Sequence, residues 1–304
     1  METLYALLAE PLAHDFMQRA LLMSILVGVV CSVFSCFLVL KGWSLMGDAV
    51  SHAILPGLAI AYILAIPLAI GAFFSGLLCA LATGYLKRNS RVKEDAVMGI
   101  VFSGMFAFGL VLFTKIETDL HLLHLLFGNV LGITARDMAE ASVIAVVCTV
   151  AMLAKRRDLL AQCFDPAHAG VIGLPVQLLH FGFLILLALT IVAALKAVGI
   201  ILVIAMLIAP GAIGFLLAST FDRMLMVAIV ASVFSCVAGV LMSYHFDTAT
   251  APLIVVIEAL LFLSALLVTK LSQDKKRCLL RPREVRPTSS ELVGAMPDAN
   301  QTSK

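Results

Sequence analysis

Charge is what this chain has least of. Asp, Glu, Lys and Arg together fill 13% of its 304 positions, about half the share found in a soluble domain. A water-soluble core needs a charged surface around it, so this scarcity excludes an ordinary soluble fold. The 62% hydrophobic content places the chain among all-α polytopic membrane proteins. Signatures of chemistry are missing as well. There is no GxxxxGK[ST] loop, so ATP is not bound by that device. Neither GxSxG nor HExxH occurs, and no spacing pairs a nucleophile with a base, so the chain is not expected to be an enzyme. The seven cysteines include no CxxC pair, and Cys31, Cys36, Cys79, Cys148 and Cys236 lie in apolar segments. Thiols there act as small hydrophobes, which excludes a thiolate metal centre or a disulfide framework as the organising feature. The N-terminus has no basic region followed by an apolar stretch and a small-residue cleavage site. No cleaved signal peptide is expected, and the first span would direct insertion. Nothing points to a nucleic-acid partner; the medium is the lipid bilayer.

What the chain has in abundance is apolar length. Nine segments approach the 20 or so residues that a helix needs to cross a bilayer, and the expected architecture is eight or nine transmembrane helices. They run approximately over Phe16–Leu40, Ala49–Ile66, Leu68–Leu86, Ala96–Phe113, Met138–Ala154, Leu178–Leu195, Gly199–Ala218, Met224–Tyr244 and Pro252–Thr269. With nine crossings, 17 of the 21 Lys and Arg residues fall on one side. Basic loops stay in the cytoplasm, so the N-terminus is expected outside and the C-terminus inside. The organisation is then an external segment over 1–15, a transmembrane domain over 16–270, and a basic cytoplasmic tail over 271–304, which reads as disordered.

Within this apolar chain, WSLMGDAVSHAILPG at Trp43–Gly57 carries an acid and an imidazole. Asp48 and His52 are four residues apart, which on a helix puts them on one face. A carboxylate inside a membrane costs roughly 2.5–3.5 kcal/mol on insertion scales, so such a residue is read as functional by default. A carboxylate oxygen and an imidazole nitrogen make half of a divalent-metal site. The competing reading is that Asp48 caps a helix beginning at Ala49 while His52 bonds a nearby carbonyl. The longest cytoplasmic connection, 155–175, holds Asp165 as N-cap and Pro166 at the first helical position, with Gly170 and Gly173 allowing close approach by another backbone. It predicts a short helix presented to a docking partner. The external loop 115–136 contains His121 and His124 behind Glu117 and Asp119. Two readings are open for it: a metal-collecting entrance, or an amphipathic interfacial helix. Pro210 is expected to kink the span at Gly199–Ala218. Glu258 is a second intramembrane acid, and Lys196 is the basic residue considered as its partner.

Four stretches occur in a recognisable order: KGWSLMGDAVSHAILPG at Lys41–Gly57, FGNVLGI at Phe127–Ile133, CFDPAHAGVIGLP at Cys163–Pro175 and VGIILVIAMLIAPGA at Val198–Ala212. In these the chain resembles the membrane permease subunit of bacterial ABC importers for manganese, iron and zinc, especially the manganese/chelated-iron branch. The resemblance implies a fold similar to the vitamin B12 and iron–siderophore importer permeases, located in the bacterial inner membrane. It also implies a second permease (homo- or heterodimer), two copies of a separate ABC ATPase and a periplasmic metal-binding protein. Asp48 and His52 match the family's intramembrane metal path, and 165–175 matches the loop that carries its coupling helix. No permanently bound cofactor is expected; Mn2+, Fe2+ or Zn2+ would be cargo. A proton- or sodium-coupled secondary transporter using the same acids, or a membrane protein that transports nothing, are the readings from other classes.

Overall fold

In lipid every backbone amide must find its partner within the protein, so long apolar runs fold as helices. The computed structural model describes residues 14–115 and 135–280 and contains no strand among them. The first helix, α1 (Asp15–Lys41), is apolar on all sides, as suits a helix surrounded by others. Its buried side chains include Met23, Val27, Cys31, Phe34, Phe37 and Leu38. After it come α2 (Met46–Ala53), α3 (Leu55–Ile63), α4 (Leu68–Asn89), α5 (Glu94–Phe113), α6 (Ala135–Ala154), α7 (Arg156–Phe164), α8 (Pro166–Val171), α9 (Val176–Val198), α10 (Ile200–Leu217), α11 (Phe221–Phe246) and α12 (Thr250–Leu280). Among the described residues nine stretches are long and apolar enough to span a membrane, with α2 and α3 counting together as one. All nine expected spans are present.

Three features of this bundle position the site. First, α6, α10 and α11 pack around α1. At the α1–α10 contact, Gly211 donates its N–H to Ser35 Oγ at 2.9 Å, and that hydroxyl donates to the Ile208 carbonyl at 3.1 Å. Pro210 lacks an N–H for the carbonyl one turn back, yet α10 continues through it, with the Ser35 hydroxyl bonded to the backbone on either side of the proline. Second, the span that holds Asp48 and His52 is broken. Pro56 removes the donor that would bond the His52 carbonyl, and the chain turns at Ile54 between α2 and α3. Third, α3 and α4 cross at glycines. A Cβ on Gly57 would collide with the carbonyl oxygen of Gly71, and one on Gly71 with that of Gly57, so the two backbones touch directly, as small residues permit in membranes.

The chain divides into two units, 1–266 and 267–304. The described residues of the second are helical to Leu280. The tail over 271–304 was expected to be disordered. The helix instead continues through QDKKRCLL, whose Gln, Lys, Arg and Leu are good helix formers with basic groups suited to a C-terminal end. Residues 281–304 lie outside the described residues.

Candidate functional site

The pair is placed by the end of α1. Gly42 takes φ +70°, a left-handed conformation that glycine adopts without Cβ strain. The Trp43 N–H donates to the Leu38 carbonyl at 2.8 Å and the Gly42 N–H to Val39 at 3.2 Å, a glycine-capped helix end that reverses the chain. Trp43 then packs against His180 and Phe183, with ring centroids 5.5 and 6.5 Å away, and the Lys41 ammonium lies 4.2 Å from the Trp43 ring centre. From this anchor α2 starts at Met46 with Leu45 as its N-cap and no side-chain cap. A helix beginning at Ala49 with Asp48 as its cap is therefore not observed. Asp48 sits inside the first turn, because the glycine-capped reversal starts the helix sooner.

His52 Nδ1 lies 3.1 Å from Asp48 Oδ1 and 3.1 Å from the Asp48 backbone oxygen. The side chains are 28% and 30% exposed, respectively, so the pair is neither sealed in the core nor open to bulk solvent. When Nδ1 donates to these oxygens, the neutral ring carries its lone pair on Nε2. One imidazole nitrogen and the second carboxylate oxygen are then available for a ligand, the carboxylate acting as the partner that orients the ring. Phe102 and Phe106 of α5 hold the ring from the other side, with centroids at 6.1 and 5.5 Å. The helix beneath packs against α10 and α4. Gly47 lies against Leu207, where an added Cβ would come within 2.8 Å of the leucine. Ser51 Oγ donates to the Gly47 carbonyl at 2.7 Å, and Ser75 Oγ to the Ala53 carbonyl at 2.6 Å. Among the described residues no third His, Cys, Asp or Glu joins the pair in a metal-binding group. His121 and His124 lie outside the described residues.

The expected helix over 165–175 is α8. Asp165 Oδ1 accepts from the Ala167 and His168 N–H groups at 2.9 Å each, and Pro166 opens the helix. The segment before it, expected as loop, is the helix α7. Gln162 Nε2 ties α7 to α9 by donating to the Val176 carbonyl at 3.0 Å. Gly170 and Gly173 are not at close backbone contacts within the chain. A Cβ at Gly173 would meet nothing within 4 Å, and the requirement there is its φ of +83°. The elements present bare apolar side chains: Phe164 is 74% exposed, Ile172 57% and Val171 85%.

Two further residues fall differently from expectation. Lys196 Nζ lies 3.7 Å from Glu140 Oε2 on α6, not beside Glu258. Glu258 is fully buried, and neither of its oxygens has a hydrogen-bond partner among the described residues. Depth along a span could be read from the sequence, but the direction each helix faces could not.

Comparison with known proteins agrees with this architecture. The chain is 60% identical over 277 residues to the chelated iron transport system membrane protein YfeD of Yersinia pestis, covering 91% of this chain and 93% of that one. It is 54% identical over 260 residues to the manganese transport system membrane protein MntB of Synechocystis sp., covering 86% and 85%. The solved structure of PsaBC from Streptococcus pneumoniae in complex with Fab superposes with a TM-score of 0.77 at 35% identity, covering 86% of this chain and 95% of that one. The profile of the ABC 3 transport family matches residues 13–269, so nearly the whole described bundle, with the Asp48–His52 pair inside it, belongs to a member of the ABC 3 transport family.

Proposed function

We propose that this chain forms the membrane pathway of an ATP-driven importer for divalent manganese or iron, with zinc as a further candidate, and that Asp48 and His52 are the groups the ion meets on its way. The observation that carries this reading is the pair itself. A carboxylate and an imidazole sit 3.1 Å apart, partly exposed, at the start of a broken span. This suits a borderline divalent ion by ligand type. Two ligands per chain are too few to trap an ion, and passage requires coordination weak enough to release it. A second permease would bring another pair, giving up to four ligands around a shared axis. The relatives named for manganese and chelated iron transport support this choice of cargo.

The driving force would come from a separate ATPase, present in two copies, seated on α8 and the exposed Phe164, Val171 and Ile172. Large apolar side chains left exposed on helices outside the spans suit a partner site. A periplasmic metal-binding protein would deliver the ion on the opposite side. The basic-residue asymmetry supports an inner-membrane orientation with α8 and the C-terminus in the cytoplasm.

The test is ATP-dependent uptake of manganese and iron into vesicles that hold the assembled complex. Asp48→Asn keeps the size of the side chain and removes its charge. It is expected to reduce uptake at least about tenfold, a loss of about 1.4 kcal/mol in interaction, with the amount of assembled complex unchanged. Wild-type uptake by Asp48→Asn would assign the pair to architecture.

A further inference from the structure

Glu258 is the acid that the metal-facing pair leaves unused. It lies within the span that begins at Thr250, about 12 Å along the helix at about 1.5 Å per residue, and so well inside a hydrocarbon core of about 30 Å. Its exposure is 0%, and neither carboxyl oxygen has a hydrogen-bond partner among the described residues. Elsewhere α12 faces outward: Val256, Leu260, Leu263 and Leu267 are exposed. The helix therefore sits at the edge of the bundle and turns this acid inward. The packing there is close. A Cβ on Gly239 of α11 would collide with Ile254 of α12, and one on Gly28 of α1 with Ser232 Oγ of α11, so α12 lies directly on α11 and α11 directly on α1. The described titratable groups within electrostatic reach of Glu258 are two thiols, Cys31 of α1 and Cys236 of α11. Cys236 Sγ donates to the Ser24 carbonyl at 3.2 Å, and no described Lys, Arg or His donates to the carboxyl. An ionised carboxylate sealed in apolar surroundings, with neither a donor nor a counter-charge, costs far more than the neutral acid.

We propose that Glu258 is an intramembrane proton-binding site: its carboxyl is held as the neutral acid where α12 faces α1 and α11, and it exchanges its proton only when α12 separates from them. Binding adds one proton to one carboxylate oxygen and cancels its charge. Water that reaches the opened site supplies or accepts that proton, and no bond in the chain is broken. The neutral acid fits the closed packing, whereas the ionised form needs hydration, which the contacts at Gly28 and Gly239 exclude. Protonation is thereby tied to the position of α12. The site is separate from Asp48 and His52 and stands whether or not that pair carries metal.

Infrared spectroscopy reads the protonation state directly. The full chain and its Glu258→Gln variant are purified in a neutral detergent and compared at neutral pH. The difference spectrum is expected to show the loss of one carboxylic-acid carbonyl stretch per chain, with the carboxylate bands unchanged. In D2O, the shift of that band to the deuterated acid is expected to lag behind exchange of the backbone amides over 166–171, followed by mass spectrometry. Loss of a carboxylate band in place of the acid band overturns the proposal, as does the absence of any acid band in the difference while circular dichroism shows the variant folded. Exchange of the acid as fast as that of the 166–171 amides overturns the closure of the site. Titration of the native chain toward alkaline pH needs no variant. The acid band is expected to disappear together with hydrogen-exchange protection over 250–266, and loss of the band with that protection intact overturns the link to α12.

Discussion

At the scale of single residues, two acids within the spans make opposite demands. Asp48 has an imidazole 3.1 Å away, whereas Glu258 has no partner among the described residues. Holding an unpaired carboxylate in a bilayer is costly, so Glu258→Gln, which keeps the shape and cannot carry the charge, is expected to leave the thermal unfolding temperature unchanged or raise it. A fall of more than about 5 °C, equivalent to about 3 kcal/mol in a chain of this size, would overturn this expectation and show that the acid stabilises the fold. Cys163 provides a pH test outside the spans. Burial disfavours its thiolate and moves its titration above the ordinary thiol range, while the nearby Lys41 charge partly offsets that shift. Alkylation of Cys163, followed by mass spectrometry, is therefore expected to be slow at neutral pH and to accelerate only at more alkaline pH than for a free thiol. Lys41→Gln should move the profile further up, because the cation that favours the thiolate is gone. The spacing of Asp48 and His52 was legible in the sequence because four residues make one helical turn. Phe102 and Phe106 were not, since nothing in a uniformly apolar segment marks the two rings that will face another helix.

At the scale of elements, α8 was foreseeable from Asp165-Pro166, because an N-cap acid and a proline at the first helical position are local signals. α7 was not, because RRDLLAQCF is short, charged at one end and has no cap of its own in sequence. The dependence of α8 on its cap is direct. Asp165→Ala removes the acceptor of two backbone N–H groups and is expected to cost about 1 kcal/mol of local helix stability, whereas Asp165→Asn keeps it. Hydrogen exchange over 166–171 should rise in the alanine variant and stay near native in the asparagine variant. ATPase recovery with the purified permease should follow the same order. Equal recovery in both would detach the cap from docking. Pro56 is a local signal for the break at Ile54, yet Ala49–Ile66 was expected as one span, and the break two residues after His52 emerges only when α2 and α3 are seen as separate helices.

For the whole molecule, the distribution of Lys and Arg makes a prediction independent of any side-chain geometry. A reporter fused after Thr269 is expected to read cytoplasmic, and one fused near Glu117 external; the reverse pattern would invert the orientation. The nine spans were readable because length and apolarity alone identify them. Their arrangement around α1 was not, because a helix apolar on every side gives no hint of which neighbours it will have. The same limit explains why Lys196 meets Glu140 and not Glu258.

The contact between Gly57 and Gly71 also constrains motion. With backbone set against backbone and the chain folded tightly through Ala65 and Pro67, α3 and α4 have no side-chain layer in which to slide. Any rearrangement of this segment would carry the hairpin as one rigid lever, with the change of shape taken up at its ends, of which the turn at Ile54 is one.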